Sequence, residues 1–204
     1  MRFSLSFLTR TCGPVVALAV STVAAAPESG TREDTGLKYW QWNEGGISLL
    51  VEQRLPDQTR AFFLARGFTS EAANVIGDGC VFKTDLRNPA AAGSVIDYDL
   101  SQWRVVVDGQ RKPMMLKDQW DDRWKAMNLP SPPRIAFRWA LLPNRQRLDP
   151  GDYNWGMSAF GFPAGQRFDL EFTWLRNGEE RTGIFQNVEC APDVESLVPR
   201  EGAL

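Results

Sequence analysis

The chain contains no histidine. That absence removes Ser-His-Asp and Cys-His catalysis, imidazole zinc sites and blue-copper sites together. It also removes the commonest general base near neutral pH, leaving carboxylates, tyrosines and a few lysines as candidates for proton transfer. Cysteine is scarce as well: three among 204 residues, none in a Cys-x-x-Cys pair, which weakens redox-dithiol and soft-metal readings. Long apolar runs are missing, since residues 15–23 form the longest and a spanning helix needs about 20. Strong charge of either sign is missing too. The net charge is -2, with no basic block, so neither composition nor patterning points to nucleic acid as a partner.

What is present begins with an address. Arg2 and Arg10 precede the apolar run, which ends in Ala24, Ala25 and Ala26: a positive n-region, a short h-region and small residues for signal peptidase. The expectation is a signal peptide over residues 1–25, a periplasmic or secreted mature chain, and loss of Cys12 with the signal. Removing Arg2 and Arg10 takes the formal charge from -2 to -4, because residues 1–25 hold no Asp or Glu. Cys80 and Cys190 remain, and in an oxidising compartment they are expected to form one disulfide closing a loop of about 110 residues. Residues 26–36 read as a flexible leader, 37–193 as a single domain with one core, and 194–204 as a loose tail.

Within the domain the two-residue period of half-buried strands dominates. Phe168, Leu170, Phe172 and Trp174 alternate with polar residues, and Asn177-Gly178 supplies a tight hairpin into a return strand over 181–190. Trp103, Val105 and Val107 stop at the turn pair Asp108-Gly109, and Ile135, Phe137, Trp139 and Leu141 read as another strand; Trp103, Trp139 and Trp174 are then core residues. Residues 47–55 and 79–86 are further strand candidates. A run opened by Pro56-Asp57 reads instead as a short helix closed by Gly67, with Phe68 folding back on Phe63. Thr69 caps a second helix through Ala72, Ala73, Val75 and Ile76. The fold class is therefore mainly β: an antiparallel β-sandwich with a short two-helix insertion. The turn at residues 150–156 carries Tyr153, which resembles the corner tyrosine of immunoglobulin-like sandwiches; the resemblance implies broad architecture only.

Three constellations could carry function. Asp97 with Asp99, and Asp169 with Glu171, point to one strand face each, about 7 Å apart, within the range of an inverting glycoside hydrolase. Met114, Met115, Met127 and Met157 offer thioethers suited to Cu(I). The third is aromatic: eight tryptophans, including Trp40 and Trp42 on one side of an extended segment, and Trp120 and Trp124 at helical spacing within the charged run 117–125. That run reads either as a binding platform, with Asp121 accepting hydrogen bonds beside the rings, or as a surface helix whose two indoles dock on the sheet. The functional expectation is a non-catalytic binding or accessory protein of the cell envelope, using an aromatic and acidic surface to hold an envelope protein or small ligand. A periplasmic Cu(I)-handling protein and a carboxylate glycoside hydrolase are the alternatives.

Overall fold

The computed structural model describes residues 27–90 and 92–193. The expected signal peptide and tail lie outside them. In chain order the elements are β1 (Glu28–Thr31), β2 (Lys38–Trp42), β3 (Ser48–Gln53), α1 (Pro56–Leu64), α2 (Ser70–Gly77), β4 (Val81–Arg87), β5 (Ile96–Asp99), a 3-10 turn (Leu100–Gln102), β6 (Arg104–Val107), β7 (Gln110–Pro113), α3 (Lys117–Ala126), α4 (Ser131–Ala140), β8 (Arg145–Leu148), β9 (Tyr153–Ala159), β10 (Arg167–Arg176) and β11 (Glu179–Glu189).

The strands form two antiparallel sheets. The first has the order β1-β2-β3-β4-β9. The second is built on β10, which pairs with β11 along one edge and with β6 and then β5 along the other; β7 extends β6 and β8 extends β5. The 3-10 turn is thus an interruption within one long strand antiparallel to β10. Both expected hairpin turns form, with Asp108, Gly109, Asn177 and Gly178 all at positive φ, as a two-residue turn matched to strand twist requires.

Alternating side chains fill the space between the sheets. Trp40, Leu49, Val51, Phe82 and Leu86 from the first sheet meet Trp103, Val105, Leu170, Phe172, Trp174 and Phe185 from the second. Two devices clasp the layers at one edge. Cys80, just before β4, is bonded to Cys190, just after β11, with their Cα atoms 5.1 Å apart. Beside it, the Glu189 carboxylate accepts from Lys38 Nζ at 3.0 Å and Arg167 Nε at 2.9 Å, and Gln53 Nε2 donates to the Glu189 carbonyl at 2.8 Å.

A second buried cluster lies on the outer side of the first sheet, where all four helices cover Val81, Met157 and Ala159. The first helical pair forms as its signals indicate: Thr69 Oγ1 accepts from Ala72 N at 3.2 Å, and Phe68 N donates to the Phe63 carbonyl at 3.2 Å as its ring packs 4.9 Å from that of Phe63. The second pair corrects the strand expected at residues 135–141. Proline supplies no N–H at the start of a helix, where none is needed, so Pro132 and Pro133 open α4 rather than breaking it. Phe137 then falls one turn after Pro133 on the buried face, with Leu141 a further turn on. The leader expectation is corrected as well. Glu28–Thr31 pairs in register with β2, from Glu28 opposite Gln41 to Thr31 opposite Lys38.

Candidate functional site

The helix α3 presents Trp120 and Trp124 at i and i+4, one above the other, toward the sheet beneath. Both indoles are fully buried and stacked, with centroids 5.3 Å apart and planes at 23°, and Trp120 Nε1 donates to the Ala159 carbonyl at 3.2 Å. They are core, which corrects the reading of residues 117–125 as a ligand platform. Asp121 is equally committed: Lys125 Nζ lies 2.9 Å and Arg134 Nη1 3.0 Å from its oxygens, and these cations, Lys125 first, hold its carboxyl below the usual range. Trp40 is buried edge-on against Phe82, while Trp42 is half-buried between Phe172 and Trp174, its Nε1 donating to the Glu44 carbonyl at 3.2 Å. Trp40 presents no free ring, while the exposed part of Trp42 lines an open groove of about 380 Å³ with Phe172, Arg111 and Glu171.

The methionines are partly brought together. Met114, Met115 and Met157 line one pocket of about 10 Å³ at the seam between the two cores, and Met127 is not among its walls. That volume matches a single water rather than a ligand cage. Lys117 lines it too, with burial first and Arg138 second pushing its ammonium below the ordinary value. A wall already carrying a desolvated cation opposes a second cation, so these residues do not fit Cu(I), and packing the seam is the role their burial supports.

The carboxylate pairs take their expected faces on the second sheet. Asp97 and Asp99 line an open groove of about 470 Å³ with Arg145, Arg147, Leu175 and Glu180. Asp99 is not available as a general acid. Burial would raise its pKa, but hydrogen bonds from Ser101 and the Arg145 guanidinium outweigh that and hold it below the usual range. Asp169 Oδ1 accepts from Asn187 N at 2.8 Å, and Glu171 pairs with Arg111 Nε at 2.5 Å, so both are spent on sheet geometry.

The rings left in the open are ones the sequence assigned elsewhere or passed over. Trp139 on α4 is 84% exposed and Trp155 on β9 is 68% exposed, whereas the other six tryptophans are buried or half-buried. Trp139 was expected in the core; with Ile135 it falls on the helix face opposite Pro133 and Phe137, a placement that follows at once from the helical period. Trp155 and Tyr153 alternate on the outer face of β9, beyond the part the helices cover. The two elements meet directly: Leu141, the residue after α4, forms a parallel bridge with Met157, which brings the end of α4 beside β9. Across the ladder Trp155 faces Asp85 and Tyr153 faces Arg87. Arg87 binds Asp85 through two hydrogen bonds of 2.6 and 2.8 Å and lies 4.9 Å over the Tyr153 ring. Tyr153 is therefore an exposed, cation-facing ring rather than a corner tyrosine bonded back to the backbone.

Salt bridges from Asp118 to Arg138 at 2.8 Å and from Asp121 to Arg134 at 3.0 Å fix α4 on α3, which sets the direction in which Ile135 and Trp139 project. The resulting face combines apolar rings, a paired acid and base, and a rigid backing of helix and sheet. Comparison with protein-family models, with curated proteins and with solved structures finds no match.

Proposed function

We propose that this chain is an exported, non-catalytic binding protein of the cell envelope, and that its working surface is the face carrying Trp139 and Ile135 from α4 and Tyr153 and Trp155 from β9. One observation carries the reading: two of eight indoles are left largely in water on elements that touch, in a molecule that buries or half-buries the other six. Large aromatics held rigidly in solvent are the anchors of protein interfaces, where each contributes apolar area at little entropic cost. The face is a helix side beside a strand, and neither indole lines the grooves described above. Small molecules favour concave sites, so a protein partner suits it better. The disulfide supports an oxidising compartment. No helix among the described residues is long and apolar enough to cross a membrane.

The test is site-specific photo-crosslinking in the cell of origin, with the photoreactive residue at position 139, at 155, and at the exposed control position 112 on β7. A discrete adduct with one other protein from 139 and 155, absent from 112, is the expected result. Adducts that are equal at all three positions, or absent from all, would refute it, and an adduct of twice the monomer mass would replace the foreign partner by a second copy.

A further inference from the structure

Arg54, which follows β3, and Arg66, which follows α1, stack on the same ring: their guanidinium carbons lie 5.1 and 3.3 Å from the Phe62 centroid. The two carbons are therefore at most about 8.4 Å apart. Each uses one nitrogen to hold the helix between them, Arg54 Nη2 donating to the Gln58 carbonyl at 3.2 Å and Arg66 Nη1 to the Phe62 carbonyl at 2.8 Å. Among the described residues their other side-chain donors make no hydrogen bond. Neither arginine takes part in an ion pair among the described residues. Arg54 Nε is buried with no hydrogen-bond partner.

That arrangement is costly as it stands. Burial, and then the charge of Arg66, push the Arg54 guanidinium below its ordinary value. Native proteins rarely leave a buried donor unmatched, and two cations sharing one ring repel each other. Elsewhere on the same helix the fold supplies acids freely, since Arg60 is met by Asp57, Asp78 and Asp193. Among the described residues no acid supplies what the pair lacks, and an oxyanion from outside them would match both charge and donors. We infer that Arg54 and Arg66 form a binding site for a phosphate-type oxyanion, with Phe62 holding both guanidiniums within reach of it. Guanidinium forks match such oxygens in pairs, and hydrogen bonds between two charged groups are the strongest of their kind. The oxyanion is either free or borne on a lipid head group.

The experiment follows thermal unfolding of the mature protein in inorganic phosphate against sodium chloride of equal ionic strength, and co-sedimentation with phosphatidylglycerol vesicles against phosphatidylcholine vesicles. It uses the wild type, Arg66→Gln and Arg54→Gln. A saturable rise in melting temperature specific to phosphate, with affinity at least about tenfold weaker in both variants, supports a site for the free anion. Co-sedimentation specific to phosphatidylglycerol and lost in both variants supports the same site with a lipid-borne oxyanion. Arg66 is exposed, so Arg66→Gln decides the matter even where Arg54→Gln does not fold. No specific response in the wild type, or an equal response in Arg66→Gln, would overturn the inference.

Discussion

Replacing Trp120 by alanine separates a core indole from a binding indole. The ring is fully buried, stacked on Trp124, tilted 5.8 Å from Phe137, and hydrogen-bonded to the Ala159 carbonyl. Truncating a buried Trp to Ala costs about 3–5 kcal/mol through lost transfer energy and the cavity left behind. The orphaned carbonyl adds about 1 kcal/mol. A loss of roughly 4–6 kcal/mol compares with a total stability of roughly 5–15 kcal/mol for an ordinary domain. At about 2–4 °C per kcal/mol for a chain of this size, the melting temperature should fall by roughly 10–20 °C. The matched substitution Trp139→Ala, at a ring 84% exposed, should change stability by no more than about 0.5 kcal/mol. Urea unfolding followed by far-ultraviolet circular dichroism measures both. A loss below about 1 kcal/mol for Trp120→Ala would refute the placement of α3 and return its indoles to the surface.

The Cys80–Cys190 bond closes a loop of 110 residues between the two sheets, so the double variant Cys80→Ala/Cys190→Ala should lose up to about 4.7 kcal/mol in the chain-entropy model, read as a lower denaturant midpoint. Wild-type protein that titrates with a thiol reagent without reduction would contradict the bond. Glu189 gives a pH dependence: burial would raise its pKa, but Lys38 and Arg167 outweigh that and leave it below the ordinary 4.5 in the folded state. Its contribution is therefore complete above about pH 4.5 and lost as pH falls through the folded-state value. Thermal melts from pH 6 to 3 should show a steeper acid loss in the wild type than in Glu189→Gln, and parallel curves would show that the clasp contributes nothing.

Much of this fold is legible where local chemistry and tertiary demand agree. Strand β10 alternates without a break, Asn177-Gly178 can adopt the two positive φ angles of its turn, and Gly67 with Phe68 closes α1 as the local sequence indicates. The failure at residues 135–141 has a physical origin. Ile135, Phe137, Trp139 and Leu141 are apolar at every second position, which reads as a strand, yet the same four residues on a helix divide into a buried pair and an exposed pair. Pro132 and Pro133 carried the correcting signal, as helix-opening residues rather than strand breakers. That one period error hid the exposed face, because a strand reading sends Trp139 inward. Trp155 was hidden differently: alternation along β9 shows that Tyr153 and Trp155 share a face with Met157, but not that the helices stop short of them. Trp120 and Trp124 show the converse, since helical spacing beside six charges fits both a platform and a docked helix, and only the position of the sheet decides.

The central claim is that Trp139 and Trp155 are the anchors of a protein-binding face, and the affinity of Trp139→Ala/Trp155→Ala for the crosslinked partner tests it most directly. Calorimetry with that partner should show binding weakened at least about a hundredfold, as expected when two interface hot spots are removed, while the melting temperature of the double variant stays within about 4 °C of the wild type. Undiminished affinity in a variant that remains folded would contradict the account.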